Sequence, residues 1–524
     1  MINQSLKNTP ENLIELIEST LEKYAEQEAY HGLGQTITFE QVKIQSLALT
    51  SWLQQKSGLK PGDRIAIQLP NIIQFPIAAY AALRAGLILV NTNPMYTPRE
   101  MLHQFNDSGA KALIILDSLQ PKLVEIKEQT SLETIIVVSN DRKKKNNLSG
   151  QSDIFCFEQV IEQGRHCAFT PVPNVQKNDV CVLQYTGGTT GVAKGAKLTH
   201  ANILSNTYQV TERIGTAENM STGEVFVAPL PLYHIYAFVI NLFVVFSKGG
   251  LNVLIANPRD LSAFVSTIKP FKFTGFAGLN TLFVGLCQHP EFKALDFSSL
   301  KLTISGGTAL TPSSIKGWKE VTNCDISEGY GLSETSPVVC LNDPKNIHYG
   351  TVGKPLAGYE VEIRNEQGEK VPQGESGEVT TRGSHVMAGY WNKPEETAMV
   401  MTEDGFFKTG DIGVSLENGC IKIVDRLKDM IIVSGFNVYP NEIEAILVEH
   451  PNILEAAVVG QPDEKTGEKI VCYITIKGEL SINDIAQHCR ESLTSYKVPK
   501  DINVVSDLPK SSVGKILRRE LKVT

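Results

Sequence analysis

The sequence predicts an α/β fold: a large N-terminal domain of two α/β sheet subdomains plus a small β subdomain, followed by a small mobile α+β C-terminal domain. Three observations predict it. Short β-rich runs alternate with helical stretches over most of the chain, the rhythm of strand–helix–strand units. Past about Gly358 the texture shortens to alternating strands with glycine-rich turns. From Asp425 onward a separate helix and strand pattern begins, which sets the expected domains at residues 1–424 and 425–524.

Leu13, Ile14, Ile17, Leu21 and Tyr24 recur at helical spacing, so the first element is read as an amphipathic helix and not a secretion signal. Strands are then expected at Arg64 to Gln68, Ala112 to Leu116, Thr134 to Val138, Val180 to Gln184, Leu251 to Ile255 and Leu302 to Ser305, each followed by turn residues. The apolar stretch Val225 to Phe246 contains Pro229, Pro231, His234 and Asn241, which suits a buried strand, loop and helix better than a membrane span. Ile72 to Val90 is interrupted in the same way by Pro76 and Arg84. The β subdomain is expected at Glu360 to Ile363, Gly377 to Arg382 and Gly419 to Val424. In the last domain, helices are expected at Glu442 to Glu449 and Ile482 to Leu493, with strands at Ala456 to Val459 and Ile470 to Ile476.

At 524 residues the chain is long enough for two to four domains and a large buried pocket. With 42% hydrophobic residues, 20% charged residues and a net charge of -8, it has the composition of a globular enzyme and repels nucleic acid. Nine cysteines without a C-x-x-C pair point to reduced thiols and a cytoplasmic protein. Ten histidines without H-E-x-x-H spacing give no zinc site. Lys143, Lys144 and Lys145 form a basic run, read first as a solvated loop and second as a weak peripheral contact with anionic lipid on the inner face of the cytoplasmic membrane. Nothing in the sequence sets an oligomeric state.

Chemistry concentrates in a few segments. Tyr185-Thr-Gly-Gly-Thr-Thr-Gly-Val-Ala-Lys-Gly-Ala196 follows an apolar strand and suits a triphosphate. Gly187, Gly188 and Gly191 let backbone N–H groups converge on phosphate oxygens, Thr186, Thr189 and Thr190 add hydroxyls, and Lys194 adds charge. Its spacing fits neither G-x-x-x-x-G-K-[ST] nor G-x-G-x-x-G. Ligands bind at the carboxyl ends of strands in such sheets, so Ser305-Gly306-Gly307 and Glu328-Gly-Tyr-Gly-Leu-Ser-Glu334 are candidates for the same crevice. Tyr330 could stack a base and Glu334 could meet a hard cation such as Mg²⁺. Asp411, after Thr409 and Gly410, could accept both hydroxyls of a ribose, and Lys515 sits on a glycine-containing turn near the C-terminus. For each segment a bland reading stands beside the functional one: an Asp-capped turn at Asp411, a solvated basic tail at Lys515, and a satisfied core histidine at His234.

Taken together, these segments resemble the acyl-adenylate-forming superfamily of acyl-CoA ligases, luciferases and peptide-synthetase adenylation domains. The resemblance spans the chain and adds Pro229-Leu-Pro-Leu-Tyr-His-Ile-Tyr236, Gly350-Thr-Val-Gly353 and Tyr496-Lys-Val-Pro499 in that family's order. Asp425 to Glu444, Pro509 to Leu521 and Phe276 to Phe283 are most similar to bacterial long-chain fatty acid CoA ligases. The resemblance implies that Thr186, Gly187, Gly188, Thr189, Thr190, Gly191 and Lys194 meet the phosphates. It assigns Gly306, Gly307, Glu328, Tyr330 and Ser333 to the nucleotide, Glu334 to Mg²⁺, Asp411 to the ribose and Arg426 to the ribose and phosphate. Lys515 would reach the α-phosphate and the substrate carboxylate, with His234 bordering that carboxylate. Asp425 would be the hinge, with Gly435 and Phe436 lining the entrance for coenzyme A. Ala193 stands where many members have proline and Ser333 where threonine is commoner, and neither departure removes a charge.

The implied reaction is ATP-dependent activation of a medium-to-long-chain fatty acid to acyl-CoA, with ATP, Mg²⁺ and coenzyme A taking part. Tyr236 to Phe246 and Phe276 to Phe283 are read with equal weight as an acyl slot and as core. An aryl-CoA ligase or luciferase-like enzyme, a ligase that loads a carrier protein, and a lipid-binding pseudoenzyme stay open as alternatives.

Overall fold

Parallel pairing in two sheets turns the alternating sequence into a scaffold whose strand ends gather the chemical segments. The computed structural model describes residues 10–139, 153–172, 174–186, 193–215, 223–463, 465–511 and 514–522. In the seven-stranded sheet, Ile154–Cys156, Thr134–Val138, Ala110–Leu116, Arg64–Gln68, Ile88–Asn91 and Val180–Thr186 run parallel, and Lys194–Thr199 returns antiparallel at the edge. In the nine-stranded sheet, Glu28–Gly32, Leu251–Leu254, Val225–Ala228, Gly275–Gly278, Leu302–Ser305 and Ile326–Gly331 are parallel, and Gln35–Thr38, Val338–Leu341 and Lys354–Pro355 are antiparallel additions. Their middle residues are buried on both faces, which explains why they read as continuous apolar runs.

The strand expected to start at Ala112 starts at Ala110, because Ala110 and Ala112 pair with Arg64 and Ile65 across a register shift. The apolar stretch from Val225 does form a strand, Val225–Ala228, then a helix, Ile235–Val239, that passes into a π-helical turn at Ile240–Val245. In Gln74–Arg84 the interrupting Arg84 is buried, and its charge is met by Glu18 at 2.6 Å and the Ser46 hydroxyl at 2.8 Å. Leu13–Lys23 is the expected first helix, capped by Asn12, with Leu13, Leu16, Ile17 and Leu21 turned to the core.

Around Trp318 a ring cluster packs against the central strand Gly275–Gly278 of the nine-stranded sheet. Phe276 lies 5.1 Å, Phe283 4.8 Å and Phe292 5.6 Å from its ring, and all four side chains are buried. Truncating such a ring costs about 3–5 kcal/mol. Glu360–Arg364, Ser376–Arg382, Phe407–Ser415 and Ile421–Arg426 form the expected small antiparallel sheet. Beyond it, Ile431–Val433, Phe436–Val438, Ile453–Asp463, Gly467–Ile476 and Asp501–Val504 form a five-stranded sheet with its own core against Pro440–Glu449 and Ile482–Ser492. The strand pairing changes sheet after Arg426, next to the expected hinge.

Candidate active site

The hairpin Val180–Thr186 and Lys194–Thr199 pairs Thr186 with Lys194, so the phosphate-suited loop connects the edge strand to its neighbour. Gly187, Gly188, Thr189, Thr190 and Gly191 lie outside the described residues, as do Lys143, Lys144 and Lys145. A further backbone segment pairs with the hairpin: Lys197 N–H donates to Gly389 O at 2.9 Å, Ala388 N–H to Lys197 O at 2.9 Å, and Trp391 N–H to Gly195 O at 2.7 Å. That pairing sets the Tyr390 ring 5.0 Å from the Lys194 ammonium, which also forms an ion pair with Glu396. Tyr390 donates its hydroxyl to Glu334 Oε1 at 2.8 Å. Glu334 is buried with no salt bridge among the described residues, and burial raises its pKa. Such a carboxylate favours a hard cation beside it, the donor type that Mg²⁺ takes from proteins, usually one or two carboxylates plus phosphates.

Strand Leu302–Ser305 ends at Gly306, where a Cβ would touch the Tyr236 ring at 3.4 Å. Gly307 has a φ of 87°, a conformation that glycine adopts freely. Glu328 accepts the Leu310 N–H at 3.2 Å, and burial pushes its pKa up to about 7. Ser333 opens the short turn Ser333–Thr335 that presents Glu334.

Tyr330 and Asp411 join two sheets: the tyrosine hydroxyl donates to Asp411 Oδ2 at 2.6 Å, while Arg426 Nε lies 3.1 Å from Oδ1. Asp411 and Arg426 are cross-strand partners in the small sheet, so the pair is set by backbone register. Lys515 lies within electrostatic reach of Arg426, Asp411 and His234. Burial lowers its pKa to about 8, helped by Arg426 and opposed by Asp411. His234 accepts the Tyr236 N–H on Nδ1 at 3.3 Å, and burial, then the Lys515 charge, lower its pKa to about 4. Its imidazole is therefore neutral at neutral pH. The Lys515 turn docks closely: Gly514 has a φ of 79°, and a Cβ there would sit 3.0 Å from Thr281 Oγ1.

Asp425 is buried and accepts the N–H groups of Arg426 and Asn441, both at 2.7 Å. Burial raises its pKa to about 6 although Arg518 lies 3.3 Å away. Arg518 also binds Glu444 at 2.7 Å, Asp429 at 3.4 Å and the Asn441 side chain. Gly435 and Phe436 are exposed, with the Phe436 ring stacked on Tyr496 at 4.7 Å, so the structure does not bring them to these residues. Ala237 to Phe246 are all buried, and Phe276 and Phe283 pack in the Trp318 cluster, a placement that suits core and the lining of an acyl slot alike. Tyr390, Glu396 and Arg518 were missed from sequence. The Gly389-Tyr-Trp-Asn392 turn was the available signal for the first two, and the Arg518-Arg519 pair after Lys515 for the third.

Residues 17–391 match the family described as AMP-binding enzyme, and residues 442–515 match the AMP-binding enzyme C-terminal domain. The chain is 42% identical over 532 residues to a long-chain-fatty-acid–CoA ligase of Salmonella typhimurium, covering 98% of this chain and 94% of that one. It is 36% identical over 523 residues to a ligase of the same name from Bacillus subtilis, covering 95% and 92%. Among solved structures, the anthranilate CoA ligase AuaEII in complex with anthranoyl-AMP aligns with a TM-score of 0.89 at 27% identity, over 99% of this chain and 98% of that one. A benzoate CoA ligase from Burkholderia xenovorans aligns with a TM-score of 0.86 at 26% identity, over 98% and 99%. The chain belongs to the AMP-binding enzyme family and carries the fold of an adenylate-forming ligase.

Proposed function

We propose that this protein activates medium-to-long-chain fatty acids to acyl-CoA through an acyl-adenylate, releasing AMP and pyrophosphate. The proximity of Asp411, Arg426, Lys515 and His234 carries the reading, and the relatives named long-chain-fatty-acid–CoA ligases support the acid class. A carboxylate resists attack by a thiol, because its charge is delocalised and oxide is a poor leaving group. In the first step a carboxylate oxygen attacks the α-phosphorus of ATP in line, the P–O bond to the β-phosphate breaks, and pyrophosphate leaves. Asp411 holds the ribose hydroxyls while Arg426 and Lys515 face the charge that builds at the α-phosphate. Preorganised donors of this kind are worth about 10²–10³ in rate. Neutral His234 borders the acyl carboxylate without adding a second cation beside Lys515. Glu334 and the nucleotide phosphates would hold Mg²⁺, which supplies charge neutralisation when bound.

In the second step the thiol sulfur of coenzyme A attacks the acyl carbonyl, loses its proton and expels AMP. Gly435 and Phe436 are assigned to that step, which requires the domain from Asp425 onward to turn about its hinge and exchange the Lys515 turn for the Gly435 turn. Nine free cysteines suit a reducing cytoplasm, and no described helix is long and apolar enough to cross a membrane; contact with the inner membrane face would be peripheral.

The test is acyl-CoA formation from ATP, Mg²⁺ and free coenzyme A across straight-chain acids of graded length, with benzoate and 4-coumarate alongside. Turnover rising from short to long chains is expected. Preference for the aryl acids would overturn the acid class, and adenylate formation without thioester from free coenzyme A would point to a carrier-protein acceptor.

A further inference from the structure

Lys194 is not a free cation. Its ammonium pairs with Glu396, on the first turn of helix Pro394–Val400, and lies 5.0 Å from the Tyr390 ring. Both partners of the pair are about one-third exposed, at 35% and 33%, so a phosphate can reach the lysine from solvent. The helix cannot drift freely. Thr397 Oγ1 accepts the Tyr390 N–H at 2.9 Å and donates to Lys393 O at 2.8 Å, and a Cβ on Gly389 would strike Thr397 Cγ2 at 2.8 Å. Because Tyr390 is itself tied to the hairpin through the neighbouring backbone bonds and to Glu334 through its hydroxyl, the carboxylate of Glu396 is held at Lys194 by a chain of fixed contacts.

We propose that Glu396 is a competing counter-ion for Lys194 that sets how tightly the phosphate chain of the nucleotide is held. The inference rests on the reading of Lys194 as a phosphate ligand. A polyanion that takes the ammonium must displace the Glu396 carboxylate or share the cation with it, and either outcome weakens binding. The same competition hastens departure of pyrophosphate, since the carboxylate takes the lysine back as the product leaves. AMP lacks the β- and γ-phosphates, so its affinity is indifferent to the pair. Tyr390 limits the number of places the ammonium can go, because its ring lies beside Lys194 and its hydroxyl is committed to Glu334.

The experiment measures binding of MgATP, pyrophosphate and AMP by calorimetry to the full-length protein, to Glu396→Gln, to Lys194→Ala and to the double variant, with thermal melts to confirm folding. Partly exposed ion pairs are worth little, so Glu396→Gln is expected to tighten MgATP and pyrophosphate by about 2- to 5-fold and leave AMP unchanged. In the Lys194→Ala background the same substitution should have no effect. If Lys194→Ala leaves MgATP affinity intact, the reading of Lys194 fails. If Lys194→Ala weakens MgATP but Glu396→Gln changes nothing, weakens it, or tightens it equally without the lysine, the competition is overturned.

Discussion

The Tyr330 hydroxyl and the Asp411 carboxylate meet at 2.6 Å, joining the strand Ile326–Gly331 of the nine-stranded sheet to the strand Phe407–Ser415 of the small sheet. Arg426 holds the other oxygen of Asp411 from the adjacent strand, so one carboxylate is oriented from two sheets. Charge-assisted hydrogen bonds contribute about 1.5–3 kcal/mol each. Asp411→Ala should therefore weaken AMP binding by about 10- to 100-fold, measured by calorimetry, with the fold intact by circular dichroism. Unchanged AMP affinity would remove Asp411 from the ribose.

Lys515→Ala should abolish formation of acyl-adenylate, by about 10²–10³ or more in rate, while thioester formation from supplied acyl-adenylate largely survives. Equal loss of both half-reactions contradicts the assignment.

Lys515 also fixes a pH limb. Its pKa in the free protein is lowered to about 8, and a lysine is charged below its pKa. Adenylation kcat/KM, which reports the free enzyme, should fall as pH rises through about 8. The residual activity of Lys515→Ala should lack that limb; an identical limb in the variant would assign it elsewhere.

Asp425 makes the opposite contribution through stability. Its folded pKa is raised to about 6 from 3.8, so between those values the folded protein binds more protons than the unfolded chain. Stability from this group therefore rises as pH falls from about 6 towards 3.8, and its burial cost is present in full above that window. Asp425→Asn should flatten this slope in denaturant titrations at several pH values. In the same network, Arg518→Ala removes the cation shared by Asp425 and Glu444 and leaves them their backbone donors alone, a loss of about 1.5–3 kcal/mol. Faster hydrogen exchange over residues 425–444 would report it, and unchanged exchange would show that the network is not needed to hold the hinge.

Gly435 has a φ of 83° and no atom within 4 Å of an added Cβ, so a leucine there strains the turn without a clash. Gly435→Leu should spare carboxylate-dependent pyrophosphate exchange and depress acyl-CoA output. Normal output with free coenzyme A would end the tunnel assignment.

Much of the scaffold was legible in the residues because parallel strands buried on both faces announce themselves as short apolar runs between turns. Arg64–Gln68, Thr134–Val138 and Leu302–Ser305 form as read, and the small sheet begins at Glu360, where the texture changes. The glycines, Glu328, Glu334, Asp411 and Lys515 were visible as chemistry out of place in a plain loop. Tyr390 and Glu396 were not, because neither lies near Lys194 in the chain, and only the pairing of Ala388–Trp391 with the Lys194 hairpin brings them together.

The sequence by itself determined the α/β class, the position of many strands and the residue types available for adenylate chemistry, since hydrophobic periodicity and local turn chemistry are properties of neighbours in the chain. Tertiary structure alone decided which charges meet: Asp411 with Tyr330 and Arg426, Lys194 with Glu396, and Arg518 with Asp425. Such pairs depend on strand register and on how sheets and loops pack, and charge interactions act over a few ångströms whatever the separation in sequence.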